Sequence, residues 1–347
     1  MEMPFSKHGM VTRRRFLSAA ALAAGAAAAG ALSPERGRAS AAGRPLKRVE
    51  LLANYSFNGR HAPFFVGVDK GFYRDAGFDV RVTPTTGSGF VVAAVESGHG
   101  DFGMADATTL VRAVSKGAAI KAFTVYMDVS TSGLASLQPY PTVQSIMSRT
   151  IVSSPTDSVR VVLPLILQSR GIDPASIKWL NADPSTWFAL MAGGKADLMG
   201  ASSDGDMPIL TKLAAQQGKS AYFTLFADWG YDALGYVLVA KTSRIQSDPA
   251  ELRAFADATG RAVKWSLANP EETARIMVRY NPVMNYDTTL AQWRGAMVAI
   301  NTPYVKLHGY GFATPDRLNR TLELVDKVLK LDKPLTPADV YDRALGR

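Results

Sequence analysis

Thr85-Thr86-Gly87-Ser88-Gly89 is one stretch of this 347-residue chain whose residue types can hold a small molecule. It follows a predicted strand and precedes a predicted helix, so glycine can adopt dihedrals closed to other residues while backbone N–H groups and the hydroxyls of Thr86 and Ser88 converge. Such a turn can hold an oxyanion without a lysine. It can equally be an ordinary glycine-rich turn in which Ser88 caps the helix. A P-loop is excluded, because the lysine and its spacing are absent. Ser153-Ser154-Pro155-Thr156-Asp157-Ser158 forms a second junction of this kind. There Asp157 or Ser158 caps the helix containing Val159 and Leu163, which leaves Ser153 and Ser154 for a ligand.

Other candidates also follow predicted strands. Phe57 can stack on a planar solute, and Asn58 and His61 can hydrogen-bond one, although His61 also suits a helix entry beside Pro63. Asp106 can accept hydrogen bonds from an amino group or cap the helix that starts near Thr108. Ser202, Ser203 and Asp204 carry the same ambiguity. Trp187 has helical spacing with Leu190 and Met191 and reads as core, whereas Asp228, Trp229 and Tyr231 fall where aromatics with polar tips can close over a ligand.

The supply of catalytic groups is thin. The chain has no cysteine, and beyond residue 41 its histidines are His61, His99 and His308, with no HExxH spacing. No G-x-S-x-G elbow is present. No cofactor or metal is expected, and the reading is of a protein that is not an enzyme.

The elements that must position these groups alternate. Strands are predicted at Val49–Leu52, Val80–Val82, Phe102–Met104 and Ile120–Val129, and again at Thr150–Val152, Ile177–Leu180, Ala196–Met199, Tyr222–Phe226 and Tyr236–Val239. Helices are predicted between them, at Phe64–Tyr73, Phe90–Val95, Thr109–Val114, Val159–Gln168, Trp187–Met191 and Pro208–Gln216. This alternation implies parallel strands with helical crossovers. A helical tail follows, at Pro249–Leu267, Glu271–Tyr280, Thr288–Val298 and Pro315–Leu331. Gly133–Tyr140 reads as the first crossing between two α/β lobes and Asp228–Gly235 as the second. Lobe 1 is expected to comprise residues 42–134 plus 235–347, and lobe 2 residues 135–234. Two such sheets facing each other enclose a small molecule at the carboxyl ends of their strands.

Residues 1–41 read as an export signal. Arg13, Arg14 and Arg15 with Thr12 resemble the twin-arginine pattern, an Ala/Gly run to Leu32 follows, and Ala39-Ser40-Ala41 is a small-residue cleavage site. Phe16–Leu32 falls short of the roughly 20 strongly apolar residues that span a bilayer. The mature chain is expected to begin near Ala42 in the periplasm, without lipid, since there is no cysteine to acylate. Removal of the signal lowers the formal net charge from +9 to +5. The remaining basic residues are scattered, so nucleic acid is not an expected partner.

Asn58-Gly59-Arg60-His61-Ala62-Pro63-Phe64-Phe65-Val66, Lys70-Gly71-Phe72-Tyr73 and Ala76-Gly77-Phe78-Asp79-Val80 resemble the opening of the nitrate/sulfonate/taurine and thiamine-pyrimidine-precursor family (NMT1/THI5-like, SsuA-like) of ABC-importer binding proteins. The similarity continues through Ser97-Gly98-His99-Gly100-Asp101-Phe102, Gly171-Ile172-Asp173-Pro174, Gly194-Lys195-Ala196-Asp197 and Ala268-Asn269-Pro270. It implies a type II periplasmic-binding-protein fold, in which two α/β lobes joined by two crossovers flank a ligand cleft. It also implies a monomer that performs no catalysis and delivers a solute to a membrane permease. The family places ligand-facing residues at Phe57, Asn58 and His61, and its loop matching Ser153–Ser154 hydrogen-bonds the solute. Thiamine-precursor binders tend to have tryptophan near Phe57, a departure that weakens a pyrimidine assignment. The expected solutes are a sulfonate, taurine, nitrate, an aromatic carboxylate or a planar heterocycle. A periplasmic sensing module is the alternative. An effector domain of a transcription factor would need a helix-turn-helix, and pyrimidine synthases of the same family rely on a cysteine-rich motif. Both features are missing here.

Overall fold

The computed structural model describes residues 45–329 and 334–342. The expected export signal therefore lies outside the described residues. The first half contains β1 (Lys47–Leu52), α1 (Ala62–Asp69), α2 (Phe72–Asp75), β2 (Phe78–Thr83), α3 (Ser88–Ser97), β3 (Phe102–Asp106), α4 (Ala107–Ser115) and β4 (Ile120–Val125). The second contains β5 (Ser132–Ser136), β6 (Thr150–Ser153), α5 (Val159–Ser169), β7 (Lys178–Asn181), α6 (Trp187–Ala192), β8 (Leu198–Ser202), α7 (Met207–Gln216) and β9 (Tyr222–Leu225). The chain then returns through β10 (Tyr236–Lys241) to a helical tail. This tail comprises α8 (Thr242–Ser247), α9 (Pro249–Ala268), α10 (Pro270–Tyr280), α11 (Tyr286–Ile300), α12 (Pro303–His308), α13 (Pro315–Leu329) and α14 (Pro337–Val340).

Two five-stranded sheets result, ordered β2-β1-β3-β10-β4 and β7-β6-β8-β5-β9. Each has one antiparallel strand in the fourth position, and in each it is the strand that has just arrived from the other lobe: β10 in the first sheet, β5 in the second. Every residue of β3, β5 and β8 is buried, as expected of central strands covered on both faces. Apolar clusters cover both faces of both sheets. Phe64, Phe102, Phe123 and Phe255 anchor one face of the first, and Ile151, Leu163 and Phe226 one face of the second.

Three predicted elements differ. The helix expected over Phe64–Tyr73 is broken by Gly71, whose φ of 74° lies in the left-handed region. The long strand expected over Ile120–Val129 stops at Val125, because the N–H groups of Tyr126 and Met127 both donate to the Tyr236 carbonyl and so break the ladder. The stretch Gly133–Tyr140, expected to be the first crossing, instead opens with strand β5, and the chain passes between sheets over residues 126–131. The Ser-Gly-Leu-Ala-Ser sequence of β5 lacks the β-branched and aromatic residues that mark strands. Its Gly133 is needed for close packing, since a Cβ there would meet the Thr224 carbonyl and the Phe223 ring. The second crossing lies between Leu225 and Tyr236 and includes Asp228–Gly235.

Candidate functional site

The carboxyl ends of β1, β2, β3 and β4 share an edge with the amino end of β10, and those of β6, β7, β8 and β9 share one with the amino end of β5. A cavity of about 30 Å³ is lined from both edges. Asn54, Tyr55, Arg60, Ser88 and Tyr236 contribute from the first lobe; Ser132, Asp157, Trp187, Ser202 and Asp206 contribute from the second.

Arg60 is the electrostatic centre. Its Nη2 donates to Asp204 Oδ1 at 2.8 Å and to Ser202 Oγ at 2.5 Å, and its guanidinium lies 4.8 Å from the Tyr236 ring centroid. Burial opposes its charge, but Asp204, Tyr236 and Asp206 together more than offset this and raise its pKa above the ordinary value. Asp206 Oδ2 accepts from both the backbone and the hydroxyl of Ser202. Burial pushes the Asp206 carboxyl up to about 6 against the lowering effects of Ser202 and Arg60. Burial likewise raises the pKa of Asp157, which accepts from Ser153 Oγ, Ser158 Oγ and the Val159 N–H.

The lobes touch directly around this cavity. Ser154 Oγ donates to the Thr86 carbonyl at 2.8 Å, and the Gly89 N–H donates to the Thr156 carbonyl at 2.9 Å. Gln292, on α11, accepts from the Gly59 N–H and donates to the Gly205 carbonyl at 2.6 Å. At Gly87 a Cβ would fall on the Thr156 backbone, so this approach of the loops requires glycine. These contacts define a closed arrangement.

The sequence-predicted residues are distributed unevenly about the cleft. Asn58 and Ser88 line the inner cavity, and Phe57 lines an adjoining outer one. Thr86 and Ser154 meet each other across the gap, and Ser153 supports Asp157. His61 is fully buried behind the site, where Nδ1 accepts from the Asn58 N–H. Nε2 therefore carries the proton and donates to Asn54 Oδ1. Burial, then Arg60, lowers its pKa well below the usual value, so it positions Asn54 as a neutral imidazole. Asp106 caps α4, with Oδ1 accepting from the Thr109 N–H and hydroxyl, and it lies outside both cavity walls.

The hinge group of Asp228, Trp229 and Tyr231, and Ser203 at its strand end, are placed away from the cavities. Asp228 and Ser203 are exposed. Trp229 packs in the second-lobe core with Nε1 donating to the Pro141 carbonyl, and the Tyr231 hydroxyl pairs with Thr108 Oγ1. Trp187, read as core, is both buried and part of the cavity wall. Sequence reasoning did not single out Asn54, Tyr55, Arg60, Ser132, Asp206, Tyr236 or Gln292. Arg60 stood inside the Asn58–His61 run and Asp206 two residues beyond Asp204. Gln292 had no local signal.

The family model for NMT1/THI5-like proteins matches residues 58–273, more than half of the chain, and the protein belongs to that family. Curated protein sequences give no match. Among solved structures, the chain is similar to the alkanesulfonate-binding protein SsuA from Xanthomonas axonopodis pv. citri bound to MOPS, at 12% identity and a TM-score of 0.65, covering 86% of this chain and 99% of that one. A protein from Bordetella bronchiseptica RB50 gives a TM-score of 0.65 at 17% identity, over 86% of this chain and 96% of the other. The periplasmic nitrate-binding protein NrtA from Synechocystis PCC 6803 gives 0.61 at 12% identity, over 86% and 87%. At these identities the likeness establishes the fold, that of the periplasmic binding proteins.

Proposed function

We propose that this protein is the periplasmic solute-binding component of an ABC importer. It captures a small molecule between its lobes and presents the closed form to an inner-membrane permease, as a monomer and without chemistry on the solute. The observation that carries this reading is the cavity lined by the carboxyl ends of two sheets, with the lobes hydrogen-bonded to each other around it. A ligand that binds the closed state better shifts the population towards it, and that shift is the signal a permease can read. Membership of the NMT1/THI5-like family supports the same role.

Of the solute classes left open by the sequence, a planar ring fits this lining better than a free oxyanion. Tyr55 lines both cavities, and Phe57 and Phe188 supply aromatic walls to the outer one, whose size admits a ring. The Gly89 N–H, which an oxyanion would need, is committed to the Thr156 carbonyl.

The test is a thermal-shift panel of sulfonates, aromatic carboxylates, nitrate, pyrimidines and aromatic amines on the leaderless protein. A true ligand at 100 times its Kd stabilises the folded state by about 2.7 kcal/mol and raises the melting temperature accordingly. Small-angle scattering should show compaction with the same ligand. Covalent turnover of the bound solute, or a ligand response without compaction, overturns the reading.

A further inference from the structure

The inner cavity adjoins a second, larger space. Tyr55, Asn58 and Asp206 belong to the walls of both. The outer space measures about 310 Å³ against about 30 Å³ for the inner. Its walls include Phe57 from the first lobe and Phe188, Met199, Ile209, Leu210 and Leu213 from the second. A water-sized group needs roughly 10–15 Å³ by the same measure, so the inner chamber accepts a head of a few atoms and the outer one a body.

The charge on the inner wall is negative. Among the described residues lining it, Arg60 is the one cation, and Asp204 already neutralises it at 2.8 Å. Asp157 and Asp206 are the acids of the wall. Both oxygens of Asp157 accept hydrogen bonds from its own loop and helix, whereas Asp206 uses Oδ2 for both bonds from Ser202 and leaves Oδ1 without a hydrogen bond. Two buried groups beside it are also incompletely satisfied. Asp204 Oδ2 has no donor, and Arg60 Nε, on a residue only 2% exposed, has no acceptor. An anionic head here would face two carboxylates, and a purely apolar one would strand Asp206 in a desolvated chamber.

We propose that the ligand is a monocation with one ammonium or amidinium head on a flat apolar body, the head seated against Asp206 in the inner chamber and the body lying in the outer one. Arg60 Nε is matched by a neutral lone pair beside the head, such as a ring nitrogen or ether oxygen. This rests on the solute-binding reading and narrows it.

The experiment is calorimetric titration of the leaderless protein near neutral pH with probes matched in shape. 2-Phenylethylamine and benzamidine are the cations, 2-phenylethanol the neutral control, and benzoate and benzenesulfonate the anions. The cations should bind at least about tenfold more tightly than either other class, and Asp206→Asn should remove at least about tenfold of that affinity. Phe188→Ala should weaken 2-phenylethylamine and leave methylamine unaffected. Circular-dichroism melts establish that each variant is folded, and Asp206→Glu, which keeps the charge, should retain the preference for cations. Tighter binding of the anions, equal binding of cation and neutral probe, or an Asp206→Asn variant that keeps its affinity overturns the proposal. If the cations fail while another small solute binds and compacts the protein, this ligand class falls and the solute-binding role stands. Failure of every solute to bind or compact the protein removes both.

Discussion

Two buried arginines hold this molecule together at different places, and they are satisfied to different degrees. Arg317, on α13, uses its whole guanidinium. Nε donates to Asp128 Oδ1 at 3.1 Å, Nη2 to the Asp128 carbonyl at 3.0 Å and Nη1 to Asp232 Oδ1 at 3.1 Å. Asp128 lies in the first crossover between lobes and Asp232 in the second, so a single side chain ties both strands of the hinge. Arg60 bridges the lobes at the cleft instead, and there Nη2 alone makes both side-chain bonds while Nε has none. A fully bonded buried pair is costly to break, and a half-satisfied one has less to lose. On the proposed binding role, the hinge contact is the one to persist and the cleft contact the one to be made and unmade.

The largest effect is expected at the hinge. Arg317→Met leaves Asp128 buried, with its side chain 4% exposed, in a place that stays covered whether the lobes are open or shut. The expected loss is about 3–5 kcal/mol of unfolding free energy, measured by urea denaturation. Arg60→Met leaves Asp204 equally buried, but opening the cleft returns that carboxylate to water. Its cost is thus capped by the free energy of opening, about 1–3 kcal/mol, and small-angle scattering should show a larger radius of gyration than the parent. Equal losses at the two sites, with no change in radius for Arg60→Met, would dissolve the distinction.

The same contrast explains what the sequence revealed. The alternating pattern of strand and helix was legible because each β–α unit buries an apolar run of its own, as at Val49–Leu52 or Ile151–Val152. The turns at Thr85–Gly89 and Ser153–Ser158 were legible because their chemistry is local. The cleft was only partly so. Ser154 and Thr86 had the right types and the right loops, yet they satisfy each other across the gap, a pairing 68 residues apart in sequence. Trp229 and Tyr231 looked like cleft aromatics because they lie at a crossover, but apolar rings at a pivot are buried more fully by its packing than by a ligand. Arg60 and Gln292 act through partners 144 and 87 residues away, a relation that no local pattern encodes.

A third buried charge sharpens the comparison because no cation attends it. Asp106 is 1% exposed, Oδ1 accepts from Thr109, and Oδ2 has no partner. Burial pushes its carboxyl from 3.8 up to about 7, against the lowering effect of the helix-cap bonds. Between those values the folded chain holds the proton more tightly than the unfolded one. Its contribution to stability is thus fully present below the unfolded value and is lost as pH rises through the folded one. Asp106→Asn does not titrate, and its carbonyl oxygen can keep the cap on α4. At about pH 8 the variant should be more stable than the parent by about 1–3 kcal/mol, and the gap should narrow steadily as pH falls through about 7 towards the unfolded value of 3.8, below which the parent gains nothing further. Urea melts across that range decide the matter. Curves that run parallel would mean that Oδ2 is solvated in solution, and that a lone buried carboxylate costs this fold no more than the paired ones at Asp128 and Asp204.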